Sequence, residues 1–216
     1  MKVSILNHQD SVINQYLKEL RSIDIQRDSM RFRHNIERIS QVMAYEISKS
    51  LTYKQESVQT PLGTADINLI SDPIVIATVF RAGLPMHTGF LNVFDKAESG
   101  FVSAFRKYID NEHFEIHTEY LASPDLTGKT LILTDTMLAT GSSMFVAHQA
   151  LLKNGKPARV ILASILGTQH AIDYLQKQLG DSMELWVAAV DPELNAHSYI
   201  VPGLGDAGDL AYGDKL

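Results

Sequence analysis

Between positions 30 and 48, Phe32, Ile36, Ile39, Met43 and Ile47 recur at steps of three and four, with Arg, Glu and Lys residues between them. That spacing gathers the apolar side chains on one face and predicts an amphipathic helix, with Asp28 or Ser29 as its cap. The first third, to about residue 60, reads as a helical amino-terminal segment. Beyond it the period changes. Short apolar runs at Ile74–Phe80, 130–134, 159–166 and 184–190 are each followed by a loop and then a helical stretch. Buried β-rich runs alternating with helices predict βαβ units: an α/β fold with an open, mainly parallel twisted sheet and helices on both faces. Two further strand-like runs, 101–108 and 114–121, flank the polar Asp110-Asn111-Glu112-His113 and predict a β-hairpin arm over about 100–121. Turns fall at 59–63 and at Asp72-Pro73.

Composition narrows the class. A chain of 216 residues with 45% hydrophobic and 20% charged residues is ordinary for one globular domain over 1–216, and its core needs no metal or disulfide. Cysteine is absent, which excludes a thiol nucleophile, an iron–sulfur cluster and cysteine-ligated zinc. With 19 basic against 25 acidic residues the net charge is −6, so neither nucleic acid nor an anionic membrane is an expected partner. The longest apolar stretch, residues 73–80, is too short to span a bilayer. Lys2, His8, Asp10 and Lys18 interrupt the amino terminus, so no signal peptide is expected and a cytoplasmic location is.

Ligands of open parallel sheets bind at the carboxyl ends of strands, and three loops there carry ligand chemistry. The first is Thr134-Asp135-Thr136-Met137-Leu138-Ala139-Thr140-Gly141-Ser142-Ser143, between a strand and a helix. A helix start offers free N–H groups to an anion, Gly141 permits close approach, and Thr140, Ser142 and Ser143 add hydroxyls. No lysine follows the glycine, so this is not a nucleoside triphosphatase loop. Asp135 suits a diol better than a phosphate. Read bare, the segment is either a phosphosugar site or a strand-to-helix turn with a Ser/Thr cap.

That segment, from Leu131 to Ser143, resembles the phosphoribosyl-diphosphate motif of type I phosphoribosyltransferases, in the version found in uracil phosphoribosyltransferases. Tyr199-Ile200-Val201-Pro202-Gly203-Leu204-Gly205-Asp206-Ala207-Gly208-Asp209 is similar to the uracil-binding segment of that family, and residues 191–195 follow its pattern. Thr136 stands where the family usually has proline, and Ser142 where it has glycine. The resemblance implies the type I phosphoribosyltransferase fold with added N-terminal helices and hairpin, and a base-binding hood loop over about 191–212. The implied reaction joins uracil to 5-phospho-α-D-ribose 1-diphosphate, giving UMP and diphosphate in pyrimidine salvage.

By the same resemblance, Asp135 and residues 136–143 (Thr136, Met137, Leu138, Ala139, Thr140, Gly141, Ser142 and Ser143) bind the phosphoribosyl group. Arg81, in the loop Arg81-Ala82-Gly83, and Arg106, on the hairpin, face the diphosphate, whose growing negative charge needs cations. Ile200, Gly205, Asp206 and Ala207 frame uracil; Asp206 and Arg81 are the catalytic candidates, Asp206 also lying near the phosphoribosyl group. Magnesium is the implied cofactor, held mainly through substrate diphosphate and water, with no protein metal ligand assigned. A homodimer or higher homo-oligomer is expected, with the hairpin as a dimer arm; a GTP effector is left open.

Blander readings stand beside these. On spacing alone Arg106 is a solvated surface charge, and Asp206 and Asp209 are turn residues. His113 and His117 read as surface histidines rather than metal ligands, and Trp186 as core. A regulator of the same fold that binds RNA would need a basic cluster that this composition does not suggest.

Overall fold

The computed structural model describes residues 1–108 and 114–215, and of residues 104–108 and 114–119 the backbone alone. In chain order the elements are β1 (Lys2–Ile5), α1 (Val12–Arg21), α2 (Ser29–Ser48), β2 (Tyr53–Thr60), β3 (Gly63–Ile70), β4 (Ile74–Phe80), α3 (Leu84–Leu91), β5 (Glu98–Tyr108) and β6 (Phe114–Ala122). There follow β7 (Thr130–Leu138), α4 (Ser142–Leu151), β8 (Arg159–Thr168), α5 (Gln169–Leu179), β9 (Glu184–Asp191), β10 (Glu193–Leu194), β11 (Ile200–Val201) and α6 (Ala207–Tyr212). Caps mark the helix starts. Ser11, Asp28 and Thr168 accept backbone N–H bonds at the heads of α1, α2 and α5.

Seven strands form one sheet in the order β1-β9-β8-β7-β4-β5-β6, parallel throughout except for β5 with β6. Alternation along the strands divides the core between two faces. Ile76, Ile132 and Ile161 pack with Leu20, Phe32, Ile36 and Phe90 from α1, α2 and α3. Val75, Leu131, Leu133 and Leu162 pack with Met144, Ala147 and Leu175 from α4 and α5. Each Val, Leu, Ile, Phe or Met side chain fully buried in this way contributes about 1.5–3 kcal/mol relative to exposure. Helices therefore cover both faces of a mostly parallel sheet, as the periodicity predicts.

The first sixty residues are not all helical. Lys2–Ile5 is an edge strand in register with 184–187, and Tyr53–Thr60 pairs antiparallel with Gly63–Ile70 in a separate two-stranded sheet. Four residues are too short a window for periodicity, and the β2–β3 ribbon is exposed along nearly all its length. The register puts Val58, Ala65, Ile67 and Leu69 on one face of the ribbon, while the other carries the Ser57–Asp66 bond at 2.5 Å.

The second correction concerns β7. It runs through Leu138, with Asp135 opposite Ser164 and Met137 opposite Leu166, so Asp135, Thr136, Met137 and Leu138 lie on a strand rather than in a loop. Polar Asp135 and Thr136 hide this extension from a reading of apolar runs. At the other edge β5 and β6 pair with a register shift at Ser103/Ala104. The hairpin tip, residues 109–113 with His113, lies outside the described residues, as does the side chain of His117.

Candidate active site

Strand order sets where a ligand can enter. From β4 the chain moves to β5 on one side and returns to β7 on the other, so the carboxyl ends of β4 and β7 flank the point where the order reverses. A cleft of about 970 Å³ opens there. Its walls include Phe80, Arg81 and Ala82 from the loop after β4, Met137, Ala139 and Ser143 from the β7–α4 connection, and Ile200, Gly205, Asp206 and Ala207 from the carboxy-terminal segment. The three sequence motifs converge.

Behind β4 the chain turns tightly. A Cβ at Gly83 would collide with Thr78 Oγ1 and the Val79 carbonyl, so only glycine allows the loop to fold back on its strand. Arg81 points along the cleft to the far wall: Nη2 meets Asp209 Oδ1 at 2.6 Å, and Nη1 donates to the Gly213 carbonyl at 3.1 Å. Arg81 Nε is buried without a partner. Thr136 is fully buried, and its hydroxyl donates to the Ala82 carbonyl at 2.7 Å. That bond ties the loop after β4 to β7.

At the end of β7, Gly141 adopts a left-handed φ of 80° and heads α4 with no side-chain cap. The Ser142 N–H makes only a long 3.4 Å bond to the Thr140 hydroxyl, so this helix start suits an anion. The Thr140 and Ser142 hydroxyls lie 2.6 Å apart beside them. Asp135, Met137, Leu138, Ala139, Thr140, Gly141 and Ser143 line one small recess at this helix start. Asp135 is 9% exposed and accepts only a long 3.5 Å bond from the Met137 N–H. Burial pushes its carboxyl up to about 7.

Asn195 shapes the third wall. Its side chain accepts the His197 and Tyr199 N–H groups at 2.9 and 3.0 Å, and so presents His197, Ser198 and Tyr199 to the cleft. Ile200 and Ala207 are buried, whereas Gly205 is exposed with φ 97°. Asp206 caps α6 through one oxygen, Oδ1 accepting from Gly208 and Asp209 N–H at 2.8 and 3.0 Å. Its other oxygen lies 3.6 Å from Lys215 Nζ.

Arg106 is opposite Ile116 on the β5–β6 backbone, and its side chain lies outside the described residues. His197, Ser198 and Lys215 are cleft residues that the sequence reading did not single out. A lysine nine positions after Asp206 was the one available signal. Trp186 is part-buried against the core, as expected. Among the described residues no three His, Asp or Glu side chains cluster to hold a metal. The carboxylates nearest the recess and the cleft, Asp135 and Asp206, are hard oxygen donors of the kind that suits magnesium held largely by substrate and water, with Asp206 Oδ2 already beside Lys215.

Known proteins resemble this chain in sequence and in fold. A family model described as uracil phosphoribosyltransferase matches residues 7–214. The chain is 54% identical to the uracil phosphoribosyltransferase of Porphyromonas gingivalis over 216 residues, all of both chains. It is 38% identical to that of Methanothermobacter thermautotrophicus over 188 residues, 86% of this chain and 85% of the relative. A solved structure of an Aquifex aeolicus protein superposes with a TM-score of 0.87 at 28% identity, covering 99% of each chain. A hypoxanthine phosphoribosyltransferase from Staphylococcus aureus shares the fold, with a TM-score of 0.51 at 13% identity over 86% of this chain and 84% of that one.

Proposed function

Because this chain belongs to the uracil phosphoribosyltransferase family, we propose that the cleft between β4, β7 and the carboxy-terminal segment binds phosphoribosyl diphosphate and uracil together and carries out their reaction. The reaction forms a bond from uracil N1 to ribose C1, breaks the bond from C1 to the diphosphate oxygen, and yields UMP and diphosphate. No covalent intermediate on the protein is needed. Positioning the two reactants and stabilising the departing charge supply the acceleration.

The 5-phosphate sits at the start of α4, on the amides and hydroxyls of residues 139–143 (Ala139, Thr140, Gly141, Ser142 and Ser143). Asp135 accepts the ribose hydroxyls, and Met137 and Leu138 carry the backbone from one to the other. Arg81, together with Arg106 from the hairpin, faces the diphosphate. Ile200, Gly205 and Ala207 frame uracil, and the Asp206 oxygen beside Lys215 takes the N1 proton directly or through water. Magnesium, when bound, would neutralise diphosphate charge, held by substrate oxygens and water beside Asp206 and Asp135. The observation that carries the reading is the convergence of Arg81, the Asp135–Ser143 segment and the Ile200–Ala207 segment at one cleft.

The proposal includes a second copy of the chain as partner. One face of the β2–β3 ribbon carries Val58, Ile67 (45% exposed) and Leu69 (42% exposed) beside Lys54 and Glu56, and a two-stranded ribbon alone is marginal in water, which favours its being covered by the second copy. This ribbon joins the β5–β6 hairpin, expected from the sequence, as a candidate for the dimer arm. A cytoplasmic site of action belongs to the same proposal; among the described residues no helix is long and apolar enough to cross a membrane. The test is stoichiometry: UMP and diphosphate should appear in equal amounts from uracil and phosphoribosyl diphosphate, and fail to appear when magnesium is chelated.

A further inference from the structure

The carboxy-terminal segment that frames the base has little sheet of its own, since β10 and β11 pair over only two residues each. Its backbone is held instead by side chains from the amino-terminal helices. Arg21, the last residue of α1, makes a two-pronged bond with Asp191 at the end of β9, both contacts at 2.7 Å. The same Arg21 Nη1 donates to the Gly203 carbonyl at 3.0 Å, and the Gly203 N–H donates to Asp191 Oδ2 at 2.9 Å. Arg21, Asp191 and Gly203 thus close a ring of hydrogen bonds. Asp191 is 5% exposed, so the pairing is shielded from water and worth more than a surface ion pair. Gly203 has φ 57°, and a Cβ there would strike the Ile200 carbonyl, so this turn has one available shape.

Two neighbours repeat the arrangement. The Gln26 amide nitrogen, in the orientation that satisfies its surroundings, donates to the Leu20 and Leu204 carbonyls at 3.0 and 2.8 Å. From α2, Arg33 donates to the Ala211 carbonyl at 2.6 Å, with its guanidinium 5.7 Å from the centre of the Tyr212 ring. Three cationic or amide side chains of the amino-terminal layer therefore hold carbonyls at 203, 204 and 211, on both sides of Gly205, Asp206 and Ala207.

We propose that Arg21, supported by Gln26, is a positioning residue that sets the base pocket for uracil, acting through Asp191 and Gly203 without touching substrate. The proposal rests on the assignment of the Ile200–Ala207 segment to the base. It separates the two substrates: the phosphoribosyl side is built on β7 and α4, which these side chains do not bond. Loosening the clamp therefore weakens uracil binding selectively.

The experiment uses the full chain with Arg21→Lys, which keeps the charge but loses the fork, and Gln26→Met, which keeps the volume but loses the amide. With each substrate varied in turn, the uracil KM of Arg21→Lys should rise at least about tenfold and that of Gln26→Met about threefold, with the phosphoribosyl-diphosphate KM changed less than about twofold. Hydrogen exchange at residues 203–208 of the ligand-free variants should accelerate while exchange in β7 does not. A parallel rise in both KM values, an unchanged uracil KM, or unchanged exchange at 203–208 would overturn the proposal. Absence of uracil turnover in the unsubstituted protein would instead count against the assigned function, and the exchange measurement would still judge the clamp.

Discussion

Arg81 Nη2 lies 2.6 Å from Asp209 Oδ1, so one guanidinium joins the loop after β4 to α6. Its second prong reaches the Gly213 carbonyl, and Gly208 lies beneath it: a Cβ there would come within 3.6 Å of Arg81 Nη2. Arg81 therefore ties the loop after β4 to α6 and the Gly213 turn, whereas Arg21 holds the Gly203 turn.

Arg81→Ala should raise the KM for phosphoribosyl diphosphate at least about tenfold, because a charge-assisted contact that strengthens as the leaving group departs is lost. Asp209→Asn keeps Arg81 and should change that KM less. Steady-state kinetics decide the order. An Arg81→Ala effect confined to uracil KM would contradict the placement of Arg81 on the diphosphate side.

Asp135 links pH to binding and to stability. Its ordinary value is 3.8 and the folded value is about 7, so between these the folded state keeps a proton that the unfolded chain has released. The stability it contributes is fully present below about 3.8, is lost as pH rises to about 7, and is flat above. Ribose hydroxyls favour the ionised form, so affinity for phosphoribosyl diphosphate should rise between about pH 6 and 8. Asp135→Asn should abolish that rise, bind the substrate at least about tenfold more weakly, and melt higher than the unsubstituted protein at pH 8. Calorimetric titration and thermal melts across this range test it; a variant with the same pH profile would remove Asp135 from the ribose site.

His87 predicts the acid limit. It is 4% exposed, its Nε2 lies 3.0 Å from Ser99 Oγ, its Nδ1 has no partner, and burial lowers it from 6.5 to about 4. The unfolded chain therefore takes up a proton that the folded one refuses, and stability falls as pH drops from about 6.5 to about 4. His148, also buried and lowered, adds to the same slope. Urea midpoints should decline over this interval and decline less in His87→Leu; an equal decline in both would clear His87 of the effect.

Thr136 replaces the restraint that proline provides in the family pattern. Its hydroxyl bond to Ala82 O fixes the loop after β4 against β7, and Thr136→Pro or Thr136→Val leaves that carbonyl without its donor. Losing a buried hydrogen-bond partner costs about 1–3 kcal/mol. Both variants should bind phosphoribosyl diphosphate more weakly, and Thr136→Ser should retain most of the affinity. Tighter binding by the proline variant would mean that backbone restraint outweighs the hydroxyl.

Ile67→Glu on the β2–β3 ribbon should shift the protein to a smaller species in sedimentation velocity, because it sets a second carboxylate opposite Glu56 on the face proposed to be covered. An unchanged species would move the interface elsewhere.

What the sequence discloses depends on burial and on span. Val75, Leu131 and Leu162 sit on strands buried on both faces and declare themselves as apolar runs, and the Gly141 and Gly203–Ala207 segments carry chemistry legible at short range. β1 is four residues long and gains its stability from pairing with β9, some 180 positions away, so no local pattern announces it. The β2–β3 ribbon buries nothing within its own chain and shows no alternation strong enough to read. Arg21 was invisible as a determinant because its partners, Asp191 and Gly203, lie 170 and 182 positions away.

The most direct measurement is diphosphate release from phosphoribosyl diphosphate with uracil, cytosine, hypoxanthine and orotate assayed side by side. On the proposed reading, backbone groups around Gly205 and Ala207 would meet the base edge with fixed donors and acceptors, and such a site can discriminate by about 10⁴-fold. The account predicts release with uracil and none measurable with the other three. Comparable release with hypoxanthine, orotate or cytosine would contradict the assignment of the Ile200–Ala207 segment as a uracil pocket.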